Sequence, residues 1–428
     1  MVLRGRSFAS GLLRHVHRSS GMTLPLDDIR VIEIDSWMAA PSAAAILSDL
    51  GADVVKIEPL TGDPMRGTTR PAKVDGPLRG YDFQFDVDNR GKRSIAVDLA
   101  SEAGRIVVHR LCETADVFVC NLLQHRQERF GLSPEQLWEA NARLVHATLT
   151  GYGTDGPESW RPGYDVTAFF GRSGLYDSMR DGDDGLVPMA RPAQGDHTTG
   201  LALVSGILAA LRLADRTGLG QVVETSLFET AVWTLASDYG VTAVDQAPVR
   251  RRSRHEMIVA TANRYPCGDG HWVVFNMPEE AAWPRFCTAL GLERLLDDDR
   301  LQDMKGRFDH MREVVDLIDE ALSARGIDEW GEIFDEHRLI WGKAMGLHEV
   351  AADPQAEAIG LFPTVTHPDR GEYRTVRAPM RFRGVDTNPR GTAPRSGEHT
   401  RSVLAGVGFD DGEIDRLLAD GHVAALDD

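Results

Sequence analysis

Strand and helix signals alternate through the first half of the chain, and that rhythm limits the fold more than any other feature. Residues 29–35 (IRVIEID) form a short β-branched run of the kind that makes a buried strand. Pro41 then stands where a helix can begin, and SAAAILSDL follows, rich in helix formers and stopped by Gly51. Residues 52–58 (ADVVKIE), 93–99 (RSIAVDL), 116–120 (DVFVC), 143–149 (RLVHATL) and 221–227 (QVVETSL) read as further strands. Between them, 101–114, a stretch near 133–141 and 196–215, a strong buried helix ended at Gly218, read as helices. A β-α-β-α order of this kind implies a parallel sheet covered by helices.

A polar, basic stretch at 246–256 (QAPVRRRSRHE) breaks the rhythm and reads as a linker. Beyond it, YPCGDGHWVVFN has the Gly-Asp-Gly turn of a hairpin, and 279–345 is mainly helical, with Trp283, Phe286, Leu290, Trp330 and Phe334 as expected core. The chain thus divides into a large α/β domain over 22–245, a linker over 246–262, a smaller domain over 263–355 and a C-terminal segment, 356–428, that returns to the first. Residues 1–21 carry four arginines and no acid. They read either as a mitochondrial transit peptide, which implies the matrix, or as an over-long start ahead of Met22.

The net charge of −18 argues against sequence-independent nucleic-acid binding. It also makes local basic clusters informative, because an acidic protein that binds phosphates must place cations deliberately. No apolar run reaches the roughly 18–20 residues of a membrane span, so no membrane partner is expected. Cys112, Cys120, Cys267 and Cys287 form no C-x-x-C pair and have no zinc-ligand spacing, so no metal is expected and a reducing, cytoplasmic setting is.

The first strand–helix turn, DSWMAAPSA, has no glycine and is no dinucleotide fingerprint; a P-loop, G-x-S-x-G and H-E-x-x-H are absent as well. The remaining candidates are loops at strand ends, where open α/β sheets bind ligands. Arg66 and Arg70 lie in one loop, and Arg90, Lys92 and Arg93 form the densest basic cluster, a phosphate cradle or a solvated turn. TGYGTDGP (150–157) permits close approach of a ligand chain or is a plain connection. The segment 163–185 crowds Asp165, Asp177, Asp181, Asp183 and Asp184, which either raises a carboxyl pKa or marks an acidic surface turn. His146, within a strand, reads as a satisfied core residue, and His197 and His399 as capping or hydrogen-bonding groups.

Taken in order, IRVIEID…AAPSAAAILSDLGADVVKIEPLTGDPMRG, NRGKRSIAVDL, ADVFVCN, ERFGLSPEQLWEANARLVHATLTGYGTDGP, GYDVTAFFGRSGL, GLALVSGILAALRLADRTGLGQVVETSL, RAPMRFRG and GEHT resemble the class III CoA-transferase family. That family includes formyl-CoA and carnitine CoA-transferases and α-methylacyl-CoA racemase. The resemblance implies a Rossmann-like, CoA-binding large domain with a parallel sheet, a smaller α+β domain and an interlocked homodimer. It implies transfer of CoA between an acyl-CoA and a small carboxylic acid through an aspartyl anhydride and an aspartyl-CoA thioester, with coenzyme A as a substrate and no permanently bound cofactor. The nucleophile it implies lies in the acidic loop ahead of GDHTTG. Asp184 matches by its following glycine and its distance before Asp196, with Asp183 as its neighbour. Met38, Ala39, Lys56, Asn89, Lys92, Arg93, Thr150 and Tyr152 fall on segments that contact CoA, and amides around Gly151 would face the oxyanions.

Two alternatives stay open: α-proton exchange, as in the racemase branch, and CoA binding without catalysis. Asp165 matches the aspartate of the racemase branch's Gly-His-Asp, but Tyr164 stands where the histidine would be, and no histidine lies near 133–141. Met38 replaces the glutamine of formyl-transferring members and the mobile glycine run between domains has no counterpart, so a larger, less polar acyl group is expected beside Trp37 and Met38.

Overall fold

The computed structural model describes residues 23–68 and 72–426, so the transit-peptide expectation and Arg70 fall outside the described residues. The alternation read from the sequence becomes β1 (Arg30–Ile34), α1 (Ala39–Asp49), β2 (Asp53–Glu58), α2 (Phe83–Asn89), β3 (Arg93–Val97), α3 (Glu102–Cys112), β4 (Val117–Cys120), α4 (Gln124–Phe130), α5 (Pro134–Trp138) and β5 (Val145–Thr150). After β5, Asp165–Gly171 winds as a π-helix, a rare form enriched at functional sites. Then come α6 (Leu175–Ser178), α7 (Gln194–Thr217), β6 (Val222–Ser226), α8 (Leu227–Thr234) and α9 (Ala236–Asp245).

β1 to β6 are parallel and stand in the order 3-2-1-4-5-6, with the two-residue β12 (Val423–Ala424) antiparallel on the β3 edge. Both faces are covered, so successive strand residues enter different cores. Val31, Val54, Val117 and Val119 face α1 and α7, whereas Ile32, Val55, Phe118 and Cys120 face α3 and the C-terminal helices. The strand order reverses between β1 and β4, and in sheets of this type that switch point opens a crevice at the carboxyl ends.

Residues 246–253 have no regular structure. Past them, β7 (Arg264–Pro266) and β8 (Trp272–Phe275) form the expected hairpin, with Gly270 at φ 85° in its turn. A core of its own gathers Tyr265 and Phe275 from the hairpin with Trp283, Phe286, Val315, Trp330 and Phe334 from α10 (Ala282–Leu290), α12 (Met311–Leu322) and α13 (Ile327–Glu336); α11 (Met304–Asp309) precedes α12, and β9 (Trp341–Lys343) packs Trp341 against the core. The tail holds α14 (Leu347–Val350), α15 (Pro354–Ala358), the β10–β11 hairpin (Thr364–His367, Gly371–Arg374), α16 (Thr400–Gly406) and α17 (Asp411–Ala419). Val403, Leu404, Ile414 and Val423 carry this tail into the sheet's second core.

Two expectations need correction. The helix expected near 133–141 is only α5, capped by Ser133 and opened by Pro134; α4 precedes it. And one helix, α7, is long and apolar enough to cross a membrane, although no run was read that way. Here its buried face, including Leu203, Val204, Ile207, Ala210 and Ala214, packs against α1, β5 and β6. Scattered polar residues had masked its length.

Candidate active site

At the switch point, the loops after β1 and β4 hold each other: the Asn121 side-chain amide donates to the Ser36 carbonyl at 2.7 Å, and the Ser36 amide donates back to Asn121 Oδ1 at 3.3 Å. The next residue, Trp37, sits at φ 68°, a left-handed conformation unusual for a bulky side chain, and its N–H points at Asp63 Oδ1, 3.4 Å away. Trp37 leads through Met38 into α1.

Beneath this turn lies a cluster of five fully buried charges. Lys56 Nζ is 2.8 Å from Asp35, 3.1 Å from Asp63 and 3.7 Å from Glu33. Lys92 Nζ donates to both Glu33 oxygens at 2.8 and 3.0 Å, to the Pro41 carbonyl at 2.9 Å and to Asn89 Oδ1 at 3.2 Å. Burial, reinforced by Asp35, pushes the Glu33 carboxyl up to about 7 against the pull of Lys92 and Lys56. Burial holds Lys92 below the usual lysine range; it also works against Lys56, but the three carboxylates carry that amine above its usual range.

The basic cluster read as a candidate phosphate cradle is therefore internally satisfied. Lys56, Asn89 and Lys92 lie inside the protein. Arg90 is also buried and forks onto Asp49 at 2.7 and 3.2 Å; Arg93 forks onto Asp53 at 2.6 and 2.9 Å; Arg66 pairs with Glu58. These groups brace the loops rather than offering free cations. Arg126 and Arg129 on α4, by contrast, have no carboxylate partner among the described residues and lie along Phe130, with guanidinium carbons 5.8 and 5.7 Å from its ring centre. They follow the carboxyl end of β4, on the crevice side of the sheet.

The β5 end supplies the second wall. Thr150 Oγ1 accepts the Gly153 N–H at 3.0 Å and so fixes the glycine turn. A side chain at Gly151 would stand 2.7 Å from the Gly163 Cα, which is why two glycines meet there. Tyr152 lies against Gly163, and Arg161 covers its ring at 5.2 Å. Tyr164 follows and meets Trp37 edge to face, with ring centres 5.7 Å apart and planes at 86°.

Asp165 comes next and is buried. Its Oδ1 accepts the Val166 N–H at 2.7 Å, while Oδ2 has no hydrogen bond among the described residues. Burial raises this carboxyl, opposed by the amides of Val166, Ala193 and Gly195 and by the charge of His197. Gly195 rests directly on it: a Cβ there would lie 2.8 Å from Asp165 Cβ and 2.6 Å from Phe169 Cγ. Just before it, Ala193 sits at φ 82°, a second left-handed non-glycine residue, and launches α7.

Asp196, in the first turn of α7, is the acid that the sequence reading passed over. It is partly buried, and its carboxylate has no hydrogen bond or ion pair among the described residues. Burial, the nearby Asp165 and the more remote Asp88 push it up to about 7, with His197 pulling the other way. His197 Nε2 is anchored on Asp88 Oδ1 at 2.9 Å; burial would lower its pKa, but Asp88 and Asp196 hold it above the usual histidine range. The available signal was an aspartate after glycine at the start of the longest helix.

Asp183 and Asp184 lie elsewhere, on an exposed turn. Asp183 pairs with Arg251 at 3.2 Å, Asp177 with the same arginine at 2.8 Å and Asp181 with Arg264 at 2.6 Å. The acidic loop is thus neutralised by the segment after α9, and Asp184 faces solvent. Of the remaining expected contacts, Met38, Ala39, Thr150, Gly151 and Tyr152 do line the strand ends. His146 is the satisfied core residue expected, with Nε2 3.0 Å from the Leu132 carbonyl. Among the described residues no cluster of histidine, cysteine and acidic side chains fits a metal ion.

A partly desolvated carboxylate at a helix N-terminus suits acyl chemistry, and comparison with known proteins points the same way. The chain is 32% identical over 404 residues to an (R)-2-hydroxy-4-methylpentanoate CoA-transferase of Clostridioides difficile, covering 92% of this chain and 98% of that one. It is 31% identical over 406 residues to a cinnamoyl-CoA:phenyllactate CoA-transferase of Clostridium sporogenes, covering 92% and 96%. A crystal structure of a CAIB/BAIF family protein from Brucella suis superposes with a TM-score of 0.79 at 28% identity, over 90% of this chain and all of that one. The sequence profile of CoA-transferase family III matches residues 26–400, and the chain belongs to that family.

Proposed function

We propose that Asp196, rather than Asp184, is the carboxylate through which this family III CoA-transferase exchanges CoA. The observation that carries the proposal is the combination at Asp196 alone: partial burial, a free carboxylate, a raised pKa and a place on the first turn of a helix at the strand ends. A desolvated carboxylate is a stronger nucleophile, and the helix N-terminus offers amides to the oxygens that gain charge.

In the first step the Asp196 carboxylate attacks the thioester carbonyl, and CoA leaves as thiolate, giving an aspartyl–acyl anhydride. The thiolate then attacks the aspartyl carbonyl and expels the donor acid as carboxylate, leaving an aspartyl-CoA thioester. An acceptor carboxylate attacks that thioester, CoA thiolate departs, and its return to the acceptor's acyl carbon yields the new acyl-CoA and frees Asp196. Every intermediate is an activated acyl group, so the thioester's free energy is retained as long as water is kept away. Asp165, beneath Gly195, adds negative potential that favours the attack and opposes accumulation of the free dicarboxylate state. Arg126 and Arg129 are the unpaired cations best placed for the phosphates of CoA.

The homodimer expected from the resemblance belongs to this proposal. Helix α9 buries none of its residues, and Trp233, Val241 and Val244 stand exposed on α8 and α9. A helix without a buried face needs a partner, and a second copy of the chain supplies it.

The test is a quenched reaction with an acyl-CoA, followed by fragmentation mass spectrometry. The expected result is a CoA adduct on Asp196 that Asp196→Asn abolishes, with turnover falling at least about a thousandfold, while Asp184→Asn retains adduct and turnover. An adduct mapped to Asp183 or Asp184, or deuterium wash-in at the α-carbon with no adduct, overturns the proposal.

A further inference from the structure

A half-buried ring, Trp37, and an exposed one, Tyr164, meet close to the segment that carries Asp165. Trp37 and Tyr164 come from opposite sides of the switch region, one from the turn after β1 and the other from the segment after β5. Tyr164 is 51% exposed and its hydroxyl makes no hydrogen bond among the described residues; Trp37 is only partly covered and is held in a left-handed backbone conformation. Strain of that kind persists where surrounding structure enforces it, and here Asp63, fixed by the buried charge cluster, accepts the Trp37 N–H. Tyr164 directly precedes Asp165, on which Gly195 rests, and Asp196 is the next residue.

We infer that the edge-to-face pair Trp37–Tyr164 forms the wall of the acyl subsite and selects carboxylic acids whose chain ends in an aromatic ring. The inference rests on Asp196 being the reacting carboxylate, since Asp196 follows Gly195, which packs on Asp165, the residue after Tyr164. Two rings already set at 86° leave a free face and a free edge, and a third ring fits against them at the same 4.5–7 Å spacing. A short alkyl acid touches neither ring fully and leaves both in water.

The test compares kcat/KM for 3-phenylpropanoyl-CoA and propanoyl-CoA with one common acceptor. Wild-type enzyme is expected to favour the aryl ester by at least about tenfold. Trp37→Ala and Tyr164→Ala are each expected to cut that ratio about fivefold or more, and Trp37→Phe to retain most of it. A wild-type ratio near one, or a ratio unmoved by both alanine variants, overturns the inference; rings that merely stacked on the adenine of CoA would weaken both esters alike. Should an alanine variant fail to fold, the wild-type ratio and Trp37→Phe still decide. The adduct on Asp196 is scored separately, so a lost adduct with an intact aryl preference counts against the nucleophile and not against the wall.

Discussion

At the scale of single residues, the site depends on which carboxylates are left without partners. Asp183 has Arg251, Glu33 has Lys92 and Asp53 has Arg93, whereas Asp196 has burial, Asp165, His197 and Asp88 to set its charge. The attacking form is the ionised one, so the rate of adduct formation should climb about tenfold per pH unit below the midpoint and level off above about 7. The direction of each neighbour's effect follows from its charge. Asp165→Asn removes a like charge and should move the midpoint down; His197→Gln removes an attractive imidazolium and should move it up. Rapid-quench rates across pH 5–9 measure both shifts. A midpoint that ignores both variants would mean that Asp196 does not govern the limb. The same raised pKa has a linkage consequence: between the ordinary carboxylate value and about 7 the folded state holds a proton that the unfolded state releases, so this group's contribution to stability falls as pH rises through that window.

At the scale of elements, helix positions are set by close packing and by the buried charges. A Cβ on Gly200 would collide with Ser42 Oγ and stand 2.9 Å from the Ala39 carbonyl, so α7 can lie against α1 only with glycine there. Gly200→Ala should destabilise the protein by about 1–3 kcal/mol and slow adduct formation, because it pushes the first turn of α7 away from the crevice; urea denaturation and single-turnover rates test the two halves. Lys92→Met leaves the buried carboxyls of Glu33, Asp35 and Asp63 to share Lys56 alone, and should cost about 3–5 kcal/mol by the same denaturation measurement.

These elements were largely legible in the sequence. Strands such as VIEI and VFVC alternate between two largely apolar cores, so the runs stay rich in Val, Ile and Phe on both faces and stand out. The site was less legible. Lys56, Lys92 and Arg90 look like phosphate ligands as letters, and only tertiary pairing with Glu33, Asp35 and Asp49, up to 59 residues away in the chain, reveals them as internal braces. Asp196 looked like one more helix-start acid, because its burial and its neighbours Asp165 and Asp88 come from separate segments. The acidic loop misled in the opposite sense: its crowding is relieved by arginines from the far side of α9.

At the scale of the whole molecule, the proposed dimer rests on the exposed faces of α8 and α9. Trp233 is 78% and Val244 84% exposed, an arrangement that a lone chain has no reason to keep. Light scattering behind size exclusion should report a dimer, and Trp233→Asp combined with Val244→Asp should yield monomer; a wild-type monomer at micromolar concentration would contradict the assembly.

The covalent scheme also predicts where oxygen atoms travel. When the acceptor carboxylate attacks the aspartyl-CoA thioester and CoA then takes its acyl group, one acceptor oxygen stays behind on the enzyme. Turnover with an acceptor labelled with oxygen-18 in both carboxylate positions should therefore leave heavy oxygen on Asp196, seen as a gain of two mass units per atom on fragments containing it. Heavy oxygen on fragments holding Asp183 and Asp184 instead, or on no residue at all after many turnovers, would contradict catalysis through Asp196.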